Sequence, residues 1–153
     1  MVEAGPASTQ PPRDLIGFLD YYLVTKAPFQ IPEQGKEWLV KFGPWIVIVF
    51  AVLSLPLLLA LLGLSAIVMP FTGGVGVAAG SGILALGGLV ELVLVLVALP
   101  GLFARKMSGW TMLFYANLVG IASRLLAGAL VSAVLGGLIS LYILFQIRPL
   151  YKP

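Results

Sequence analysis

Glu91 stands in the middle of the apolar run GILALGGLVELVLVLVALPGLF at residues 82–103, and it is the last acidic residue of the chain. A run of that length crosses a bilayer, which takes about 20 apolar residues at ~1.5 Å each. A charge at that depth costs roughly 3 kcal/mol or more, so an intramembrane carboxylate marks a functional candidate by default. Counted inward from the basic-flanked end of each apolar segment, Glu91 lies about 18 Å deep. On the same scale Asn117 lies about 16 Å in, Ser54 about 15 Å and Ser140 about 12 Å. These four polar side chains, one from each apolar segment, fall in a single layer. The expectation is that Glu91 faces the bundle and exchanges hydrogen bonds with Asn117. Arg124 comes about 10 Å further out. Its stem can snorkel toward headgroups, and it reaches the layer only if the side chain points inward.

Three roles compete for this layer. A Glu–Asn hydrogen bond is useful as interhelical glue alone, worth about 1 kcal/mol. A proton or cation site is the second role, and a contact to a partner subunit or a lipid headgroup is the third. No catalytic constellation accompanies it. The chain has no histidine and no cysteine, which removes disulfides, thiol chemistry and the usual ligands of haem, zinc, copper and iron–sulfur clusters. A lone carboxylate cannot cage a metal, and no nucleophile–base pair can be assembled. The glycine cluster before residue 82 lacks the Gly-Lys-Ser/Thr of a P-loop. The sequence therefore reads as non-enzymatic, with no cofactor and no metal.

Around that layer the composition demands lipid. Of 153 residues, 60% are hydrophobic and 10% charged, far from the balance of a soluble domain. The apolar runs are continuous rather than alternating, which excludes a transmembrane barrel. A net charge of +3, scattered along the chain, does not suggest nucleic acid. The class is all-α: a polytopic membrane protein with four transmembrane helices in a bundle, at about residues 44–66, 76–103, 107–127 and 129–147.

Residues 1–12 are small, polar and proline-rich, and are expected to be a disordered tail. Residues 13–43 form a cytoplasmic or interfacial region. Within it, residues 14–25 place Leu15, Phe18, Leu19, Tyr22 and Leu23 on one helical face, an amphipathic helix that lies in the interface, docks on a partner or packs on its own chain. Residues 33–42 form a second short helix, with Trp38, Leu39 and Phe42 on one side. Gly43-Pro44 then marks a break. Because 43 mostly polar residues precede the first apolar run, that run is expected to act as both targeting signal and anchor.

Residues 44–153 form the transmembrane domain. Pro56 removes one backbone hydrogen bond, and Ser54 beside it can satisfy a freed carbonyl. Residues 65–82 connect the first two spans without a charge, and Gly76 and Gly80 form a GxxxG pair that lets the second helix start early and approach a neighbour closely. Pro100-Gly101 lies near the end of that helix, and Gly128 supplies the turn between the last two. The final helix carries two rows of small residues, Ala129, Ala133, Gly137 and Ser132, Gly136, Ser140. One row can receive the preceding helix, which leaves the other for a second subunit or a further helix. Trp38, Trp45 and Trp110, with Arg105, Lys106 and Arg148, read as interface anchors.

Basic residues set the orientation. Lys36 and Lys41 precede the first span, Arg105 and Lys106 fill the second connection, and Arg148 and Lys152 follow the last span. The positive-inside rule then places both termini in the cytoplasm of a multi-pass protein of the cell membrane. The chain differs from small multidrug transporters, whose membrane carboxylate sits in the first helix, and from the two-helix proton-carrying ring subunits of rotary ATP synthases. The expected role is a small accessory, scaffolding or assembly subunit that packs against other membrane proteins or itself. The alternative is a small proton- or cation-coupled transporter or channel that uses Glu91.

Overall fold

The computed structural model describes residues 14–72 and 75–153, and the side chains among them except at 64–79. The expected tail at 1–12 lies outside the described residues, as do the surroundings of Gly76 and the connection at 73–74. Among the described residues the structure is helical, with no strand. Helix α1 runs Leu15–Asp20 and continues as a π-helical turn over Tyr21–Thr25. Then follow α2 (Glu33–Thr72), α3 (Val75–Phe103), α4 (Met107–Leu126) and α5 (Leu130–Ile147), with a 3-10 turn at Arg148–Leu150. The last two helices end within a residue of the expected bounds.

Two boundaries differ from the sequence reading. The break at Gly43-Pro44 is absent, so the short helix at 33–42 and the first span are one continuous helix of 40 residues. A proline inside a helix frees only one carbonyl and is tolerated where neighbours hold both sides. Here Val40 is buried in the core just before Pro44, and the Trp45 ring meets Phe103 edge-on at 5.5 Å just after it. The first span also runs past its expected end near 66 to Thr72, which shortens the connection, while α3 starts at Val75, within a residue of the expected 76. That stretch is uncharged and mostly apolar, so little in it competes with the helical ladder.

Among the described residues three stretches are long and apolar enough to cross a membrane: Glu33–Gly63, Gly80–Phe103 and Leu130–Leu150. Their own chain buries little of the first two and more of the third, and large side chains such as Phe50, Leu53, Val97 and Leu135 stand exposed. Contact with lipid covers such surfaces at no hydrophobic cost. Helix α4 is less apolar and lies between α3 and α5, with Trp110, Phe114, Ala116 and Gly120 buried.

The core gathers at one end of the bundle. Val40 from α2, Ala98 and Leu102 from α3, Trp110 and Phe114 from α4 and Phe145 from α5 form one buried cluster, closed by Tyr151. Burial lifts the Tyr151 phenol above its ordinary 10.0, against the opposing pull of the Arg105 charge. Both hairpins close with Schellman caps. After α3, Lys106 N–H bonds the Gly101 carbonyl and Arg105 N–H bonds Leu102, with Arg105 left-handed at φ 51°. After α4, Ala129 N–H bonds the Arg124 carbonyl and Gly128 N–H bonds Leu125, with Gly128 at φ 79°. The chain end pins the first turn: Lys152 N–H donates to the Arg105 carbonyl at 2.8 Å, and Met107 N–H to that of Lys152 at 2.6 Å.

The N-terminal helix packs on its own chain. Ile16, Leu19, Leu23 and Val24 sit against the core cluster, while Leu15, Phe18 and Tyr22 of the expected apolar face stand exposed. Gln146 Nε2 donates to the Leu23 carbonyl at 3.2 Å, Tyr142 donates to that of Phe29, and Asp20 pairs with Arg148 at 3.4 Å.

At this tight end α3 and α4 approach backbone to backbone. A Cβ built on Gly101 would lie 2.6 Å from Gly109 Cα, and one on Gly109 would strike the backbone of Gly101 and Leu102. Backbone cannot move aside as a flexible side chain can. Gly109→Ala is therefore expected to destabilise the protein by about 1–3 kcal/mol, the usual cost of overpacking. Thermal unfolding in detergent measures it. Gly136→Ala, where nothing lies within 4 Å, is the matched control and is expected to leave the midpoint unchanged or slightly raised, since alanine favours helix.

Candidate functional site

Beyond the core cluster the helices part. Helix α3 packs along both α2 and α4, and α4 along α5, but α2 and α5 meet only sparsely. Between those two a cleft of about 750 Å³ opens, floored by α3 and α4. It runs past Val47 to Leu61 on α2, Leu84 to Val95 on α3, Leu113 to Arg124 on α4 and Ala129 to Ser140 on α5.

Glu91, Asn117, Ser54 and Ser140 all line this cleft. Their side chains do not form the expected network. Glu91 faces Arg124, whose Nη2 lies 3.8 Å from Oε2. Asn117 Nδ2 donates instead to the Leu113 carbonyl of its own helix at 3.2 Å. A guanidinium neutralises a carboxylate where an amide only solvates it, so the charged partner prevails in a medium that screens poorly. Arg124 thus points inward from the end of α4 rather than out toward headgroups. The two side chains remain 30% and 39% exposed respectively, facing the cleft.

The remaining polar groups serve their own helices. Ser54 Oγ donates to the Ala51 carbonyl at 2.9 Å, not to that of Val52, which Pro56 leaves without its i+4 donor. Ser123 Oγ donates to Val119 at 2.8 Å, and Ser132 Oγ to Ala129 at 3.0 Å. Each hydroxyl keeps lone pairs toward the cleft.

Glycines make room for the pair. A Cβ on Gly120 would fall 2.6 Å from Glu91 Oε2 and 2.7 Å from Arg124 Nη1. Gly87 accommodates Ser123 in the same way, and Gly80 lies beside the Ala127 carbonyl, 3.7 Å from where its Cβ would be. The sequence reading missed Gly120, Gly87 and Ser123. Ala116, Gly120 and Arg124 recur every four residues on α4, and that spacing alone would have placed Gly120 in front of the arginine.

The two small-residue rows of α5 separate. Ala133 and Gly137 are buried, with Ile121 of α4 at 2.8 Å from a Gly137 Cβ, and Ala129 is half-buried. Ser132, Gly136 and Ser140 are exposed.

The anchors divide also. Trp38 and Trp45 are exposed. Trp110 is buried, stacked on Phe114, with Nε1 donating to the Leu144 carbonyl at 2.8 Å and the Arg148 guanidinium 5.3 Å over its ring. A tryptophan next to a helix start reads the same from sequence whether it faces headgroups or a neighbouring helix. Arg105 pairs with Glu37 at 3.2 Å, and Lys106 bridges to Lys152.

Among the described residues no group of three or more carboxylates could hold a metal ion. What the site offers is an ion pair and several hydroxyls at the floor of an apolar cleft. Gly120→Ala is expected to push Glu91 and Arg124 apart and to cost about 1–3 kcal/mol. Unfolding in detergent measures the loss. The same substitution in a chain where both charges are neutralised, Glu91→Gln with Arg124→Gln, should cost less, because two neutral amides can separate freely.

No family model, no curated protein and no solved structure matches the chain.

Proposed function

We propose that this protein is a non-enzymatic accessory or assembly subunit, a bundle of four transmembrane helices that packs against other membrane proteins or itself. Helix α4 counts as the fourth span on its length, about 30 Å for 20 residues, and on its place between two helices apolar enough to cross. Both termini lie in the cytoplasm of the cell membrane. The support is that Lys36, Lys41, Arg105, Lys106, Arg148 and Lys152 gather at one end of the bundle, joined there by the Arg105–Glu37 pair and the tail hydrogen bonds.

The observation that carries the reading is the exposed row of α5. Ser132, Gly136 and Ser140 leave the helix backbone open on the side away from Ile121, and nothing of this chain stands within 4 Å of a Gly136 Cβ. Small residues four apart let a second helix approach closely, where packing rather than hydrophobicity drives association.

Transport is the second reading, favoured by one observation: Glu91 faces a cleft rather than a sealed core. Against it stands Arg124, which already supplies the countercharge a transported cation would have to displace.

Association separates the two. In mild detergent and in liposomes the chain is expected to associate, with itself or with a co-purifying membrane protein. Gly136→Leu should weaken that association at least tenfold without lowering the unfolding midpoint, and Glu91→Gln should leave ion flux in liposomes unchanged. A chain that stays monomeric and partnerless with or without the leucine, or flux that depends on Glu91, would replace this reading with transport.

A further inference from the structure

The cleft between α2 and α5 has a size, a wall and a floor that together specify an occupant. Its volume of about 750 Å³ falls within the roughly 300–1,000 Å³ of pockets that enclose single small ligands. Its walls are aliphatic and aromatic, chiefly Phe50, Leu57, Leu61, Leu92 and Val95, a surface that accepts a hydrocarbon chain lying along the helices.

The floor places its charges toward one end, with Asn117, Ser54 and Ser140 as uncharged polar groups further along. Arg124 lies about 3 Å along the axis from the end of α4, so a headgroup reaches it from the interface without crossing the apolar length of the cleft. At 3.8 Å the Glu91–Arg124 contact is longer than the 2.7–2.9 Å of a charge-assisted hydrogen bond. A guanidinium has five N–H donors in a planar fork, and Glu91 does not saturate them. The fork suits a phosphodiester, and the carboxylate suits an ammonium. The pair as a whole carries no net charge. A headgroup that is itself neutral overall can insert between the two and give each a new partner, whereas an anionic headgroup would leave one negative charge uncompensated in a medium of low dielectric.

We infer that this cleft seats one zwitterionic phospholipid, with its phosphate on Arg124, its ammonium on Glu91 and one acyl chain against α2. The seat shares Ser132 and Ser140 with the α5 docking row, whereas Gly136 does not line the cleft; association of the Gly136→Leu chain and lipid retention therefore test the two readings separately.

Native mass spectrometry of the delipidated full-length chain, titrated in detergent with phosphatidylethanolamine, phosphatidylglycerol or water-soluble glycerophosphoethanolamine, tests the assignment. One phosphatidylethanolamine per chain is expected, held at least tenfold more tightly than phosphatidylglycerol, with no retention of the free headgroup. Glu91→Gln leaves the arginine as a lone cation and should reverse that order. Arg124→Gln should lose both lipids. If either single variant fails to fold, the neutral double variant Glu91→Gln with Arg124→Gln takes its place and should hold neither lipid specifically, so that the preference for phosphatidylethanolamine disappears. Equal binding of the two lipids by the wild-type chain, or an unchanged order in Glu91→Gln or in the double variant, overturns the proposal. Retention of the free headgroup would assign the site to a soluble phosphodiester instead.

Discussion

A carboxylate among apolar helices must find a countercharge or a proton, and in this protein Glu91 finds Arg124. Much of the local structure follows from that need. The two groups sit on adjacent antiparallel helices, α3 and α4, and side chains on a helix tilt toward its N-terminus. Glu91 and Arg124 therefore tilt toward opposite ends of the bundle and meet between the levels of their own backbones. Gly120 leaves the space in which they meet. The cap after α4 fixes the Arg124 backbone through its carbonyl, which accepts from Ala129 N–H. One short turn thus orients both the arginine and the start of α5.

The bundle has two unlike ends, and the difference is one of side-chain volume. At the basic end, Trp110, Phe114 and Phe145 fill the space among four helices, with ring centroids 5.3–5.7 Å apart. The backbones of α3 and α4 touch there through Gly101 and Gly109. Toward the other end Ala116, Gly120, Ser123 and Ala129 put little side-chain volume between the helices, and among the described side chains no aromatic ring bridges α2 to α5. A gap of about 750 Å³ follows. In water such a gap would collapse or fill with solvent; among lipids it is closed by whatever apolar chain lies beside it. The tight end gives the molecule its stability, and the open end gives it a surface to offer.

How far the sequence foretells this depends on what each feature requires. Depth along a straight helix is arithmetic, and counting residues brought Glu91, Asn117, Ser54 and Ser140 to the lining of one cleft. Rotation about the helix axis is not arithmetic: it is set by packing. That is why the expected Glu91–Asn117 bond gave way to an ion pair, and why Trp110 turned into the core. Helix ends marked by Gly128 and by the Arg105-Lys106 turn were legible to within a residue or so, because each cap has a local chemical cause. The proline at 44 was misleading for the converse reason. It costs one hydrogen bond locally, and contacts distant in sequence, from Val40 and Trp45, outweigh it. The choice between the two small-residue rows of α5 was likewise open until Ile121 settled on Gly137 and Ala133 turned inward.

A double-mutant cycle across Glu91 and Arg124, read as unfolding free energy in detergent or lipid, bears most directly on this account. If the two side chains form the pair described, each single change to glutamine strands a charge and destabilises, while the double change recovers most of the loss. A coupling of about 1–3 kcal/mol is expected, below the 3–5 kcal/mol lost on breaking a fully buried pair because both groups are about a third exposed. Strictly additive effects would mean that the carboxylate and the guanidinium do not meet, and the cleft would then lose its floor.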